Sequence, residues 1–314
     1  MIDTFIRHYV EAYKGYKAGK WCYEDGCFYK GLADLFLATG DEWFLNALTR
    51  HVNEQIRPDG TIVGYDKAAY SIDNLNAGKV LFLLHQKTDD GRYLTALETL
   101  RDQLRSHPRT KEGNFWHKKI YPFQVWLDGL YMGPPFLTQF SSIYEKGACL
   151  SDVRRQFANV RRLLYDLNAG LYYHGYDETR KSRWADSDSG LSGCFWSRAM
   201  GWYLMALVDL CEILKEIPAE RDFYAQLLNE IADNILRWQQ PRGLWMQIMD
   251  QPQKSPNYPE TSASAMFAYA LLKGRRLNIL EARHYQAGWR AMEGIVRYHL
   301  KSKGDQWELS GICG

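Results

Sequence analysis

The chain has 314 residues, of which 46% are hydrophobic and 24% charged, as in an ordinary globular protein of one large domain or two smaller ones. Its 39 basic and 37 acidic residues give a net charge of +2, which argues against nucleic-acid binding, because such proteins carry a strong basic excess. No segment approaches the roughly 20 apolar residues of a membrane span, and the N-terminus lacks a signal-peptide core, so no membrane partner is expected.

Nearly the whole chain has apolar residues at three- and four-residue spacing, which predicts an all-α fold. Strand signals are confined to short stretches such as "GTIVGY" and "GLYYHGY". Eleven helices are predicted, near residues 3–17, 25–38, 41–56, 73–87, 91–106, 127–146, 150–166, 195–216, 220–238, 260–275 and 281–300.

The predicted helices alternate between two kinds. Helices such as "FWSRAMGWYLMALVDL" are apolar all round, whereas helices such as "DVRRQFANVRRLL" carry charge on one face. Helices of the first kind are buried and helices of the second kind cover them, so we predict one domain, residues 1–314, with an inner ring of helices inside an outer ring. An open solenoid would alternate similarly but with more uniform repeats. A closed ring of six hairpins needs one more inner helix, which would follow residue 314, so the predicted toroid lacks its last inner helix.

Four long segments each join an outer helix to the next inner one and are rich in Trp, Tyr, Gly, His and Asp. They cover residues 58–74, 110–128, 168–198 and 240–264. All four would lie at the same end of the ring, and long loops are usually functional. Aromatic residues make up 14% of the chain, and flat rings of this kind stack on sugars. We therefore predict the functional site at this end.

Two aspartates open consecutive predicted inner helices: Asp73 in "SIDNLNAGK" and Asp128 in "VWLDGLYM". Each taken alone is best explained as a helix N-cap. Their equivalent positions, with Trp126 beside one and Asn74 beside the other, favour a functional pair instead. Two carboxylates facing one cavity can have their proton affinities driven apart, so that one holds a proton while the other stays charged.

Arg198 lies in an unusually apolar helix, between Trp196 and Trp202. A buried guanidinium needs an anion. Two alternatives remain open for that anion: a substrate carboxylate, or an internal partner among Asp186, Asp188 and Asp209.

Three more polar residues are candidate contacts in the loops. His174 lies in "YYHGYD", and His117 and Lys118 lie in "FWHKK". The alternative for His174 is a hydrogen-bonded loop histidine, and for the other two a solvated loop. No HExxH, GxSxG, P-loop or GxGxxG motif is present, which argues against metalloprotease, α/β-hydrolase and nucleotide chemistry. The six cysteines form no CxxC pair, which is typical of free thiols in a reducing compartment, so a cytoplasmic location is predicted.

Four motifs occur in one order along the chain: "VWLDGLYM", "HGYD", "FWSRAMGWYLMALVD" and "ETSASAMFAYAL". Together they resemble the unsaturated rhamnogalacturonyl hydrolases of glycoside hydrolase family 105 and, more distantly, the unsaturated glucuronyl hydrolases of family 88. The resemblance runs from "YEDGCFYKGL" to "SGIC". Family members continue past that last stretch with another loop and helix.

The resemblance implies an (α/α)6 barrel without a metal or organic cofactor. It implies a pectin-derived substrate, a disaccharide in which a 4,5-unsaturated galacturonate is linked to rhamnose. The residue matching Asp128 would protonate C4 and then accept a proton from the water that adds at C5. The resulting hemiketal opens and releases rhamnose. The residue matching Asp73 assists by holding sugar hydroxyls and tuning Asp128.

The resemblance also implies substrate contacts at His117, Lys118, Trp126, Met132, His174, Trp196, Arg198 and Trp202. A general acid must hold a proton near neutral pH. We therefore expect the pKa of Asp128 to be raised, by its aromatic surroundings and by the nearby charge of Asp73.

Three alternatives are retained. An epimerase or isomerase on a similar toroid would use paired histidines, but no two histidines fall at matching places on predicted inner helices. A non-catalytic carbohydrate-binding toroid would bind sugar without turnover. An unsaturated glucuronyl hydrolase would use the same chemistry on another uronic acid.

Overall fold

The structure is a computed structural model that describes residues 2–303 and 306–313. Its α-helices are α1 (Ile2–Ala12), α2 (Tyr23–Thr39), α3 (Glu42–Gln55), α4 (Leu81–Thr88), α5 (Gly91–Ser106), α6 (Leu127–Met132), α7 (Pro134–Tyr144), α8 (Leu150–Leu164), α9 (Ser197–Ile213), α10 (Pro218–Leu236), α11 (Thr261–Arg276) and α12 (Ala282–Tyr298). Short 3₁₀ segments occur at Lys67–Ala69, Ile72–Leu75 and Ala77–Val80. The strands are β1 (Gln124–Trp126), β2 (Tyr165–Asp166), β3 (Leu171–Tyr172), β4 (Gly175–Asp177), β5 (Leu300–Lys303) and β6 (Gln306–Leu309).

The predicted alternation of inner and outer helices is confirmed. Helix α9 is buried around nearly its whole circumference, whereas α12 buries one face and exposes the other. The inner elements are α2, α4 with the 3₁₀ segments before it, α6 with α7, α9, and α11. They all begin at one end of the barrel, called the front end here, and finish at the opposite, rear end. No helix in the described part of the chain combines the length and apolar character needed to cross a bilayer.

The first helix is shorter than predicted because a buried carboxylate redirects the chain. Asp25 is fully buried and accepts hydrogen bonds from the Tyr13 hydroxyl and, at 2.8 Å, from the main-chain N–H of Tyr16. Gly15 itself adopts a left-handed conformation, with φ of 80°. This conformation costs glycine little. Helix α1 therefore ends at Ala12 rather than near residue 17.

The second inner element begins differently from the prediction. The sequence predicts an α-helix from residue 73, but the chain forms two 3₁₀ turns before α4 starts at Leu81. The Asn76 side chain donates to the carbonyl of Tyr23 at 2.9 Å, and a Cβ at Gly26 would lie only 2.6 Å from the main-chain nitrogen of Ala77. This close approach of α2 accompanies the tighter turns.

The predicted helix 127–146 is broken at Gly133. Pro134 and Pro135 follow it and lack the N–H groups that would continue the hydrogen-bond ladder. The carbonyl of Tyr131, which a residue at position 135 would normally satisfy, accepts a hydrogen bond of 2.6 Å from Nζ of the buried Lys79 instead.

Pairing between distant loops was not predicted and matters for the site. Strand β1 pairs antiparallel with β4, which aligns Trp126 with Gly175. The stretch "GLYYHGY" does form the predicted strands β3 and β4, whereas "GTIVGY" contributes only an isolated bridge between Ile56 and Ile62. After α12, β5 and β6 form a hairpin, in a region where the sequence predicts helix as far as residue 300 and no strand.

Candidate active site

The predicted aspartates lie at the front end, and neither is a helix cap. Trp126 occupies the N-cap position of α6 without a side-chain cap hydrogen bond, and Asp128 is the second residue of the helix. Asp73 lies inside the 3₁₀ segment that precedes α4. The N-cap explanation is therefore wrong for both residues, and their burial needs another reason.

Asp128 has an imidazole as its nearest charged or titratable partner. Its Oδ2 lies 3.2 Å from Nε2 of His174, yet neither atom makes a hydrogen bond to any described residue. Burial alone would raise the pKa of the Asp128 carboxyl, but His174, followed by His117, outweighs it and the net pKa is lowered. The expectation of a raised pKa is thus wrong for the unliganded site, because imidazoles rather than Asp73 dominate its surroundings.

Asp73 is held much more tightly. Only 7% of its surface is exposed. Its Oδ2 lies 2.6 Å from Nζ of Lys118, and its Oδ1 lies 3.4 Å from Nε2 of His117. The Lys118 side chain thereby holds the Asp73 carboxyl group in place through a short charge-assisted contact.

His117 connects the two aspartates. Both Asp73 and Asp128 act electrostatically on its ring, but burial outweighs them and lowers the pKa of His117 below its ordinary value. Its main-chain carbonyl accepts from Ile72 N–H at 3.1 Å, and its Nδ1 has no hydrogen-bond partner among described residues. His117 therefore lies between the segments that carry the two carboxylates.

Aromatic rings enclose these polar groups. Trp126 stacks on His117 with ring centroids 4.2 Å apart and 18° between planes, and on its other neighbour, Tyr121, at 5.1 Å. His174 lies edge-on to both Trp126 and Trp196, at 5.3 and 4.9 Å. The buried indole Nε1 of Trp196 has no hydrogen-bond partner among the described residues.

The β1–β4 pairing explains why His174 reaches Asp128. Leu127 donates its N–H to the carbonyl of His174 at 3.0 Å, which places the histidine beside the first turn of α6. A Cβ at Gly175 would lie 3.2 Å from Cδ1 of Trp126, so glycine favours the close approach of the two strands.

Arg198 has none of the internal acidic partners considered from the sequence. Its Nη1 donates to the main-chain carbonyl of Cys313 at 2.5 Å, and its guanidinium carbon lies 4.7 Å from the centroid of the Trp196 ring. Asp209 pairs with Lys273 at the rear end instead. Within the described chain no carboxylate forms an ion pair with Arg198, so an anionic ligand could do so.

Two predicted substrate contacts are buried in the protein interior. Trp202 is 5% exposed and stacks on Tyr131 with centroids 5.0 Å apart, and Met132 is 2% exposed. Of the predicted residues, those that cluster around the two aspartates are His117, Lys118, Trp126, His174 and Trp196.

Some neighbours of the site were missed. Burial, together with the charges of Glu24 and Asp73, raises the pKa of Tyr23, and the charge of Arg198 opposes this shift. The phenol of Tyr23 therefore lies near Asp73 and Arg198. Tyr23 is the first residue of the inner helix α2, so its position at the front end of that helix was the signal available. No group of three or more metal-ligating side chains suited to a metal ion occurs among residues 2–303 and 306–313.

The inner ring of helices and the aromatic, acidic front end define a carbohydrate-active helical barrel. The chain matches the family model described as Glycosyl Hydrolase Family 88 over residues 1–314. It therefore belongs to that family and is a glycoside hydrolase.

Individual relatives agree. The chain is 30% identical over 263 residues to the unsaturated rhamnogalacturonyl hydrolase YesR of Bacillus subtilis, covering 82% of this chain and 72% of the relative. It is 42% identical over 174 residues to protein Atu3128 of Agrobacterium fabrum, covering 54% of this chain and 74% of that protein.

Solved structures confirm the (α/α)6 barrel. A family 105 glycoside hydrolase from C. acetobutylicum aligns with a TM-score of 0.89 and 39% identity, covering 94% of this chain and 82% of the other. The unsaturated glucuronyl hydrolase of Bacillus sp. GL1 aligns at 0.67 with 17% identity, covering 90% and 75%. The second likeness concerns the fold alone.

Proposed function

We propose that this glycoside hydrolase removes the 4,5-unsaturated galacturonate from rhamnose in disaccharides left by pectin (rhamnogalacturonan) breakdown. The observation that carries the proposal is Asp128, a carboxylate in an aromatic pocket with one oxygen that has no hydrogen-bond partner among described residues. The kinship with YesR supports the substrate class.

In the proposed reaction, Asp128 donates its proton to C4 of the unsaturated sugar. Positive charge then develops between C5 and the ring oxygen, and the carboxylate just formed lies where it can stabilise that charge. Water adds at C5 and gives a proton to Asp128. The hemiketal at C5 opens and rhamnose leaves, so the acid is restored at the end of the cycle.

Asp128 must acquire a proton before the first step, although its pKa is lowered in the unliganded site. Substrate entry would change this balance in two ways. It displaces water from the carboxylate, and it brings a second carboxylate into the pocket; both raise the pKa of an acid. The bound form would then hold the proton that the free form lacks.

The remaining groups divide into binding and positioning roles. Trp196 offers an aromatic face for the planar unsaturated ring, and Arg198 offers a guanidinium for its carboxylate. Trp126 fixes the His117 ring by stacking on it. Asp73, fixed by Lys118 at 2.6 Å, is an acceptor for sugar hydroxyls. His174 keeps Asp128 oriented through their 3.2 Å contact.

The test is incubation with an unsaturated rhamnogalacturonan disaccharide and, separately, an unsaturated glucuronyl disaccharide. We expect loss of the ultraviolet absorbance of the C4=C5 bond and release of rhamnose from the first. Faster turnover of the second would make the protein an unsaturated glucuronyl hydrolase. A product that keeps its double bond would indicate an epimerase, and binding without turnover would indicate a carbohydrate-binding protein; either result would refute the proposal.

We also propose that residues 1–314 act as one domain and that the protein works in the cytoplasm. Free thiols at Cys22, Cys27, Cys149, Cys194 and Cys211 support this location, since such thiols are typical of reducing compartments. Cell fractionation with an antibody against the chain would test it, and recovery from the medium would contradict it.

A further inference from the structure

The last described residues form a strap, Ser310–Cys313, that lies against the start of α11. Thr261 holds it twice: its N–H donates to the carbonyl of Gly311 at 2.8 Å, and its hydroxyl donates to the carbonyl of Ser310 at 2.7 Å. Gly311 has φ of 73°, and a Cβ there would lie 2.6 Å from Nδ1 of His299. The strap is therefore seated by specific contacts rather than laid loosely on the surface.

A buried carboxylate ties the strap to the same helix. Glu260 is fully buried. Its Oε1 accepts from the N–H of Cys313 at 2.9 Å, and its Oε2 accepts from the N–H of Ala263 in the first turn of α11. The hydroxyl of Ser262 donates to both oxygens, at 2.8 and 2.9 Å. One side chain thus caps α11 and anchors the strap.

The strap in turn positions Arg198. The carbonyl of Cys313 accepts from Nη1 of Arg198 at 2.5 Å, and the other face of the guanidinium is set by the Trp196 ring at 4.7 Å. No other hydrogen bond from the Arg198 side chain is formed within the described chain. Its orientation therefore depends on the strap and on one indole.

We propose that Glu260 is a positioning residue for substrate binding: through the strap it holds the Arg198 guanidinium in place to receive the substrate carboxylate. This rests on the proposed function, because it presumes an anionic sugar. Glu260 itself touches Cys313 and α11 rather than the reacting atoms.

A carboxylate is needed here because two main-chain N–H groups converge on it. In Glu260→Gln the amide oxygen can accept from only one of them, and the amide nitrogen faces the other as a second donor. Either Cys313 or Ala263 loses its partner. A variant that acts on the strap alone is Thr261→Val, which removes the hydroxyl bond to Ser310 and leaves the Ala263 cap intact. Thr261→Ser keeps that hydroxyl.

The decisive measurement compares two substrates, the unsaturated rhamnogalacturonan disaccharide and its methyl ester at the uronate. We expect the ratio of kcat/KM for acid over ester to fall about tenfold in Glu260→Gln and Thr261→Val, mainly through KM for the acid, because a charge-assisted contact is misaligned. Thr261→Ser should keep the wild-type ratio. Asp90→Ala removes an N-cap contact of 3.0 Å in the outer helix α5 and should lower Tm without moving the ratio.

A second readout does not depend on turnover. Release of the strap should speed alkylation of the Cys313 thiol, which accepts from Nε2 of Gln247 at 3.4 Å, by iodoacetamide in Glu260→Gln and Thr261→Val, measured by peptide mass spectrometry. An unchanged acid/ester ratio in both variants, in an active protein, would overturn the positioning role. Absence of turnover by the wild type would overturn only the proposed function. An unchanged rate of Cys313 alkylation in both variants would then contradict the anchoring of the strap by Glu260 and Thr261.

Discussion

The two ends of the barrel both bury an aspartate on an inner helix, but they surround it differently. At the front end, Asp128 faces the imidazoles of His174 and His117. At the rear end, Asp209 is 3% exposed and accepts hydrogen bonds from Nζ of Lys273 at 2.6 Å and the hydroxyl of Tyr269 at 2.8 Å. A cavity of about 760 Å³ lies beside Asp209 at the rear.

The difference lies in the partners. Burial alone would raise the pKa of Asp209, but the ammonium groups of Lys273 and Lys30 outweigh it and hold that pKa far below its ordinary value. Such a carboxylate stays ionised at any physiological pH. An imidazole can lose its charge near neutrality, so the same residue type at the front can exchange a proton while its counterpart at the rear cannot.

The comparison predicts its largest effect for Asp128→Asn. Loss of the proton donor should reduce kcat by about 10³-fold or more, while the similar shape of asparagine preserves the fold. Loss of ultraviolet absorbance of the substrate measures the rate, and circular dichroism checks the fold. Turnover close to that of the wild type would remove Asp128 from the mechanism.

Asp209→Asn should give the opposite result. It leaves Lys273 buried with only Glu212 opposing its charge, at 2.6 Å, and broken buried pairs cost about 3 kcal/mol or more. We expect the free energy of unfolding in urea to fall by that amount, with kcat nearly unchanged at a temperature where the variant is folded. A variant that is fully stable but inactive would erase the contrast between the two ends.

His174→Gln sharpens the comparison by removing the main partner of Asp128. Since His174 lowers the pKa of Asp128, its loss should raise that pKa. Activity that requires protonated Asp128 falls as pH rises, so the descending limb of kcat/KM should move to higher pH, along with a loss of about tenfold at the optimum. A limb that stays in place would mean that another group sets the pH dependence.

The smallest effect, counted over one pH unit, concerns Lys79, whose pKa burial lowers to about 7, while Asp209 opposes the shift. Between pH 7 and about 10 the unfolded chain binds a proton at this residue and the folded chain does not. Stability should therefore rise with pH in that window, by about 1 kcal/mol per pH unit from this group. Lys79→Met should flatten the curve relative to the wild type in urea unfolding; parallel curves would contradict the shifted pKa.

The helical pattern was sufficient to predict the barrel. The order of inner and outer elements could be predicted from two patterns: apolar spacing with a period of 3.6, and the alternation of all-apolar with one-sided helices. Both patterns work because which faces of a helix are buried is a local property of its sequence. The exceptions came from distant contacts. Asp25 shortens α1 through Tyr13 and Tyr16, and a helix pattern contains no information about such partners.

For the site, the sequence predicted the identity of the two aspartates but not the side chains that surround them. Asp73 and Asp128 were placed together from their equivalent positions. Their partners were not, since His174 reaches Asp128 through a strand pairing between residues about fifty apart, and Lys118 contacts Asp73 from the loop between α5 and β1. The expected rise in the pKa of Asp128 was wrong for this reason: a pKa depends on contacts that spacing cannot show.

The break between α6 and α7 has a consequence for how the catalytic end is supported. Proline at position 135 has no N–H to donate to the carbonyl of Tyr131, and Nζ of Lys79, from a different inner element, donates to it instead. The last turn of α6, the helix that carries Asp128, is therefore satisfied by a side chain. Substituting Pro135 by alanine would return that donor to the backbone, making Lys79 dispensable for closure of α6.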